Sequence, residues 1–375
     1  MNIHHMGFKV DLQEWVFWPE REDLSTEFMR LLAAAQEAGS TLAECWTTAS
    51  RIDFSDDNSW YGEWKRVADT NNARGNAALG SGNIPTARSN WLRALNYYQA
   101  AAFPCDQTDQ DRRAAIESMR ECAGKYLRHG KPAGEVVLIP WPTGYPLEGY
   151  FLPAPGGSNR APAVICIGEP GQRKEEYLSK VARYASDRGM SMLAVDLLGA
   201  DANARFEEVV GRSDLEATIG HIMDYLVERE DVDGHRIAIL ADGWGSSFVA
   251  RGIAFDDRFA AAVCDGGIWD LHERAFLWDR FAPQDANVVS MPPVLGGVAR
   301  NIKCPVLISA GERGWLMPDR MKQFYDELKA DGRDVTLRIF TSDETAAAQG
   351  HADNTTLANE FIFDWLASRL GIHPH

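Results

Sequence analysis

The stretch Arg236-Ile-Ala-Ile-Leu-Ala-Asp-Gly-Trp-Gly-Ser-Ser-Phe-Val-Ala250 decides the fold. Its apolar start, residues 237–240, predicts a buried strand. A knot of small residues follows, and residues 246–254 then have the composition of a helix. This strand, sharp turn and helix form the layout of a nucleophile elbow, which needs small residues on both sides of its tip because backbone passes close to backbone there.

Only one register of this elbow fits the sequence, namely Ala241-Asp-Gly-Trp-Gly245. A tip at Asp242 or at Ser246 would put Trp244 at a position that must be small. The tip is therefore Gly243, which has no side chain. The sequence predicts that no covalent acyl-serine forms at this position.

Composition limits the classes of partner and compartment. The 375 residues allow two domains, and a net charge of −16 argues against nucleic acid or an anionic membrane as partner. The six cysteines show no metal-ligand spacing, which is typical of a reducing compartment. We see neither a signal peptide nor an apolar run of about 20 residues, the length of a membrane span, so we expect a cytoplasmic protein.

The first third of the chain has a helical texture, from about residue 24 to 128. Residues 86–102 carry a stripe of small and aromatic side chains three or four positions apart, which predicts one helix face. That stripe either packs against a neighbouring helix or roofs a pocket. A breaker-rich link, Lys131-Pro-Ala-Gly134, predicts the boundary between a helical domain, 1–132, and a second domain, 133–375.

Beyond this link, short apolar strands alternate with helices. Such alternation predicts an α/β fold with a mostly parallel, doubly wound sheet that is covered on both faces.

Two motifs and the helical first domain carry a resemblance to a known family. They are Gly168-Glu-Pro-Gly-Gln-Arg-Lys-Glu-Glu-Tyr177 and Gly350-His-Ala-Asp-Asn354. With the elbow, they resemble the FrsA-like branch of the α/β-hydrolase fold, which includes carbon–carbon bond hydrolases such as 2,6-dihydroxypseudooxynicotine hydrolase. The resemblance implies a helical N-terminal lid or cap domain over the pocket, a small-molecule substrate and a homodimer.

The resemblance also implies a catalytic triad, and here the sequence departs from the family. The nucleophile falls on Gly243 and the acid on Gly314, while the histidine is present as His351. A serine hydrolase stripped of its triad keeps only a residual rate enhancement, roughly 10³–10⁴-fold over water. We therefore expect chemistry other than serine acyl transfer.

Two aspartates are the remaining candidates beside His351. Asp265 ends the strand after the elbow helix, where side chains reach the ligand-binding edge of a parallel sheet. It either pairs with His351, fixing the ring and raising its basicity, or caps the turn at Gly266 and Gly267. Asp242 either exchanges a proton beside the tip or bonds to the turn, and His351 itself is either functional or a relic.

Substrate binding is predicted around the same mouth. The backbone amides of Glu169 and Trp244 could hold an enolate or carboxylate oxygen. The Glu169 carboxylate either transfers a proton or points outward. Further acids are Glu273, on a lid-like segment of about residues 266–300, and Glu312; the alternative is that both are surface residues. Four tryptophans are expected either to line the mouth, which suggests a flat aromatic or polyketide ligand, or simply to pack the lid: Trp244, Trp269, Trp278 and Trp315.

The leading hypothesis is an enzyme that uses general acid/base chemistry without a covalent intermediate. Carbon–carbon cleavage, elimination, decarboxylation or cyclisation of a ketonic or phenolic molecule would fit. One alternative is a catalytically dead protein that binds a ligand or acts as a scaffold. Another is an esterase whose nucleophile has shifted to Ser246 or Ser247. No phosphate loop or metal-ligand cluster is visible, so neither cofactor nor metal is expected.

Overall fold

The computed structural model describes residues 17–103, 110–140, 146–156, 160–168, 172–196, 215–268 and 296–372. The chain forms two compact units, Met1–Cys122 and Ala123–His375. The domain boundary predicted between residues 132 and 133 stays a prediction, as do the lid roles of the first domain and of segment 266–300.

The first unit is helical. Its helices, the last of which continues into the second unit, are α1 (Glu22–Ala34), α2 (Leu42–Ala49), α3 (Asp57–Gly80), α4 (Ile84–Ala102) and α5 (Gln110–Arg128).

Helices α3 and α4 form a closely packed pair. A Cβ added at Gly75 would lie 2.6 Å from the indole nitrogen of Trp91, so the small residue allows the two helices to approach. The predicted stripe on α4 is buried, in agreement with the packing alternative. Helix α4 starts at Ile84, two residues before the predicted start, because Pro85 suits the first turn of a helix.

The second unit contains one eight-stranded sheet. Its strands are β1 (Glu135–Ile139), β2 (Leu147–Leu152), β3 (Ala161–Ile167), β4 (Ser191–Val195), β5 (Val232–Asp242), β6 (Ala261–Asp265), β7 (Val306–Gly311) and β8 (Val335–Phe340). They lie in the order β1-β2-β4-β3-β5-β6-β7-β8. The pairs β1–β2 and β2–β4 are antiparallel and the rest are parallel. Strands β3, β4, β6 and β7 and the second half of β5 are almost continuously apolar and buried, as expected for a sheet covered on both faces.

Helices follow most of the parallel strands. They are α6 (Tyr177–Lys180), α7 (Ala182–Asp187), α8 (Leu215–Val227), α9 (Gly245–Ile253), α10 (Gly296–Ala299), α11 (Pro318–Ala330) and α12 (Thr355–Arg369). The segment of residues 174–187 is not one continuous helix. A 3₁₀ turn, Lys174–Glu176, precedes α6, and Val181 separates α6 from α7 with a non-helical φ of −134°. Within the described ranges, no helix has the length and apolar character needed to cross a membrane.

Candidate active site

The elbow is built as its sequence predicts. Strand β5 ends at Asp242, Gly243 turns with a φ of +48°, and α9 begins at Gly245. The turn lies against β6, because the Gly243 amide donates to the Asp265 carbonyl at 2.5 Å. A Cβ on Gly266 would come within 2.8 Å of the Gly243 Cα, so this contact requires glycine. The tip of an intact elbow therefore carries no nucleophile.

The two serines after the tip have structural positions. Ser246 and Ser247 lie inside α9 and are fully buried. The Ser246 hydroxyl contacts the carbonyls of Ala241 at 3.0 Å and Asp265 at 3.2 Å, which ties the helix to the ends of both strands. This geometry gives no support to a nucleophile shifted to Ser246.

Strand register brings three polar side chains onto one face at the carboxyl edge of the sheet. Asp242 pairs with Asp265, and Asp265 pairs with Ser309 on the next strand. Register partners on parallel strands point to the same face. The Ser309 hydroxyl donates to Asp265 Oδ1 at 2.9 Å.

His351 meets Asp265 on this face. Its Nε2 lies 2.8 Å from Asp265 Oδ1, and both side chains are buried. The contact therefore matches the pairing expected for Asp265. The other ring nitrogen, Nδ1, lies 2.6 Å from the Ala346 carbonyl oxygen. The edge of the ring packs against Phe340.

These contacts define where the protons are. A carbonyl oxygen can only accept, so Nδ1 must carry a hydrogen. Nε2 faces the side chain of Asp265, and the two groups share one proton. The pair is therefore either an imidazolium with a carboxylate or a neutral imidazole with a carboxylic acid. Burial alone would lower the pKa of His351, but the charge of Asp265 outweighs it and raises that pKa. Burial would raise the pKa of Asp265, and the charge of His351 lowers it instead. The ion pair is the favoured form.

Asp242 is held by three donors on a single oxygen. Its Oδ2 accepts from Gln172 Nε2 at 3.0 Å, from the Tyr177 hydroxyl at 2.8 Å and from Lys180 Nζ at 2.7 Å. Its Oδ1 is buried and has no hydrogen-bond partner among the residues that the structure describes. Asp242 thus joins the elbow strand to α6. The hydrogen bonds described for its side chain go to Gln172, Tyr177 and Lys180 and not to the turn, which differs from the structural alternative predicted for it.

Lys180 links the two aspartates electrostatically. Burial alone would lower the pKa of Lys180, but the charges of Asp242 and Asp265 outweigh it and raise that pKa. With Lys180 and His351 both cationic, two positive charges offset two carboxylates. The buried cluster Lys180, Asp242, Asp265 and His351 is therefore neutral overall.

Sequence reasoning missed Gln172, Tyr177, Lys180 and Ser309. The spacing of Tyr177 and Lys180 places them on one helical face, and this signal was present. Nothing in the sequence indicated which strand end they would meet.

Gly314, the position predicted for the acid of the triad, lies close to an amide side chain. Gly314 lies in the turn after β7, and a Cβ there would lie 3.2 Å from Gln349 Oε1. That same oxygen accepts from the Trp315 amide at 2.9 Å. The Gln349 side chain, from the loop that carries His351, thus lies beside the position predicted for the acid.

The remaining predicted site residues divide into two groups. Trp244 is buried and packs edge-on against Phe248, while Trp315 is partly buried against the core. The carboxylate of Glu312 accepts from the Ser342 amide at 2.7 Å, a surface role. Four predicted residues lie outside the described residues: Glu169, Trp269, Glu273 and Trp278.

Within the part of the chain that the structure describes, no three histidine, cysteine, aspartate or glutamate side chains are grouped so that they could hold a metal ion.

Comparison with known proteins decides the family. A family model described as esterase FrsA-like matches residues 32–274. The chain belongs to this FrsA-like family. The predicted family and the predicted α/β-hydrolase fold are both confirmed.

Relatives of this chain include two fungal hydrolases. Hydrolase LUC6 of Fusarium sp is 30% identical, with 92% of this chain and 96% of that protein covered. The 20-hydroxy-prefusarin hydrolase FUS2 of Gibberella moniliformis is 25% identical over the same shares. The crystal structure of 2,6-dihydroxy-pseudo-oxynicotine hydrolase superposes with a TM-score of 0.75 at 19% identity, covering 90% of this chain and 95% of that one. This FrsA-like chain is thus an α/β-hydrolase-fold protein related to enzymes named as hydrolases.

Proposed function

We propose that this FrsA-like protein is an enzyme that moves a proton on a ketonic or phenolic small molecule without forming an acyl-enzyme. The observation that carries the proposal is the pairing of Asp265 with His351 beside an elbow whose tip is Gly243. The scaffold of a hydrolase is intact, the nucleophile is missing, and a buried acid–imidazole pair remains. The matching reactions are carbon–carbon cleavage, elimination, decarboxylation and cyclisation.

The geometry changes which atom of the pair would meet the substrate. Both ring nitrogens of His351 already face acceptors, so the ring has no nitrogen available as a base. Both hydrogen bonds that the Asp265 side chain makes within the described residues go to Oδ1. We therefore assign Asp265 Oδ2 as the proton acceptor, with His351 as the cation behind it.

The charges left by this step favour the anion on the substrate. When Asp265 Oδ2 takes a proton from a carbon next to a carbonyl, or from a phenol, the substrate becomes an enolate or phenolate. The pair then carries a net positive charge, because His351 stays protonated. Helix α9 begins at Gly245, directly after the tip, and the positive end of its dipole favours a negative oxygen there. Both effects stabilise the anion.

The names of the relatives support the substrate class. FUS2 is named for a hydroxylated prefusarin and the structural relative for a dihydroxylated oxynicotine. We propose a hydroxylated, carbonyl-bearing organic molecule of polyketide or aromatic type as substrate. The homodimer implied by the resemblance also stays a prediction, which light scattering would test.

The test is turnover by variants that keep the fold. A panel of 1,3-diketones and hydroxyaryl ketones would be incubated with the protein and followed by liquid chromatography and mass spectrometry. Turnover should withstand a serine-directed fluorophosphonate and should be lost in His351→Ala and in Asp265→Ala. Asp343→Asn is the control, since Asp343 is exposed.

Two outcomes would count against the proposal. Full activity in His351→Ala would remove the pair from the chemistry. Ligand binding without turnover of any panel member, in protein of native circular dichroism, would favour the binding protein instead.

A further inference from the structure

The loop that carries His351 has an unusual backbone. Four residues between positions 345 and 351 have φ values in the left-handed region: Thr345 at +72°, Ala346 at +59°, Gly350 at +60° and His351 at +56°. Three of them are not glycine, and a left-handed backbone is unfavourable for such residues. Such a backbone persists only where a group packed around it imposes the conformation.

The carboxylate of Asp353 is that group. Its Oδ2 accepts from the Ala347 amide and its Oδ1 from the Ala348 amide, each at 3.0 Å. The side chain is only 5% exposed and lies 3.5 Å from Arg313 Nη2. The Arg313 amide in turn donates to the Ala347 carbonyl at 2.8 Å. Two successive amides are thus clamped by one buried carboxylate.

This clamp reaches His351 through a single peptide group. The Ala347 N–H that Asp353 accepts and the Ala346 carbonyl that faces His351 Nδ1 belong to the same peptide bond. A peptide group is planar, so fixing its N–H also fixes its carbonyl oxygen. Hydrogen bonds in such a chain polarise one another. Asp353 therefore orients and strengthens the acceptor for Nδ1.

We propose that Asp353 is a positioning residue for His351. It acts through the 346–347 peptide group, whereas the acid of a serine-hydrolase triad contacts its histidine directly. In such a triad the acid accepts from Nδ1, whereas here Nδ1 donates to a carbonyl backed by a carboxylate. Gly314, at the position predicted for the family's acid, lies beside the side chain of Gln349. This inference rests on the proposed function, since it concerns the same histidine.

Other charged groups also act on the ring. Asp265 on β6 favours the imidazolium, and Lys180 on α6 opposes it. β8 contributes the uncharged ring of Phe340. Removing the charge of Asp353 leaves these three groups in place, so the effect of Asp353 on the ring can be measured separately from theirs.

The experiment replaces Asp353 by Asn. An amide offers one acceptor oxygen, so one of the two backbone amides would face an NH₂ group. We expect the pKa of His351, followed by NMR of histidine-labelled protein and assigned with His351→Gln, to fall towards 6.5. We expect kcat to fall roughly 10–100-fold with little change in KM, because a catalytic group is misplaced and binding is not. Asp343→Asn should match the unchanged protein in both readouts.

A second measurement covers the case in which Asp353→Asn does not fold. In the unchanged protein, the Ala347 amide signal should titrate with the same midpoint as the His351 ring, because one peptide group joins them. An Ala347 signal that ignores the ring, or a folded Asp353→Asn protein with an unaltered His351 pKa, would overturn the inference. Neither NMR readout depends on turnover, so a failure of the proposed function alone would leave them intact.

Discussion

Replacing Asp265 by Asn tests the charge of the central pair while keeping the shape of the side chain. In the structure, Asp265 Oδ1 faces both His351 Nε2 and the Ser309 hydroxyl. An asparagine NH₂ in place of Oδ1 can donate one hydrogen to a neutral ring and the other to the Ser309 hydroxyl, which turns to accept it. What it cannot do is neutralise a buried imidazolium. The variant therefore loses the ion pair and retains the packing.

The pH range of the loss follows from the two pKa shifts. The pKa of His351 is raised above 6.5, so its contribution to stability is complete below 6.5 and is lost as the pH rises through the folded-state value. The pKa of Asp265 is lowered below 3.8, so its contribution is complete above 3.8 and is lost as the pH falls through its folded-state value. The pair stabilises most between these two limits.

The size of the loss can be estimated. Breaking a buried ion pair by removing one partner costs about 3–5 kcal/mol, and we expect this cost near the middle of the range. As the pH rises above 6.5, the difference between the two proteins should shrink by up to about 1.4 kcal/mol per unit. At higher pH the difference in the free energy of unfolding should level off at about 1 kcal/mol, the net contribution of one hydrogen bond.

The assay is denaturant unfolding of both proteins across the range from weakly acidic to weakly alkaline pH. The exposed variant Asp343→Asn should follow the unchanged protein throughout. A loss that is the same at every pH would refute the reasoning, because it would mean that the Asp265–His351 contact carries no net charge interaction.

Two further predictions follow from the elbow and its anchor. Gly243→Ser should fold at a cost of about 1–2 kcal/mol, because the new serine must adopt a left-handed backbone. The variant should resist fluorophosphonate labelling, since neither nitrogen of His351 can take the proton of the serine hydroxyl. Rapid labelling would contradict this. Lys180→Met should lower the free energy of unfolding by about 3–5 kcal/mol, because Asp242 stays buried without its cation. Lys65→Met should lower it by under about 1 kcal/mol, because Lys65 and its partner Asp69 are both exposed. Equal losses of the two variants on urea unfolding would contradict this prediction.

The sequence was enough to predict the elbow and the sheet. Small residues around Gly243 and uninterrupted apolar strands are local signals, and the structure follows them. The meeting of Asp265 and His351 could be expected from the place of Asp265 at the end of β6 and from the family resemblance that assigns His351 to the site. Their roles in catalysis stay a prediction.

The parts that could not be predicted depend on tertiary contacts. Thr345 and Ala346 are not residues that favour a left-handed backbone, so no sequence pattern indicates the strained loop. The break at Val181 interrupts an ordinary helical pattern. The orientation of the His351 ring, with Nε2 and not Nδ1 on the carboxylate, depends on the Ala346 carbonyl and hence on that loop.

The cost of the buried cluster favours a functional reading over a purely structural one. Replacing a buried ion pair by well-packed apolar residues is often neutral or stabilising by about 1–4 kcal/mol. Holding the elbow against α6 and the histidine loop would therefore not require two ion pairs on adjacent strand ends. The cluster supplies two features that apolar packing cannot. One is the proton shared between His351 and Asp265, and the other is Asp265 Oδ2, a carboxylate oxygen without a described partner. If an apolar replacement of the Asp265–His351 pair kept turnover, this argument would lose its basis; if it raised stability and abolished turnover, the charges serve the chemistry.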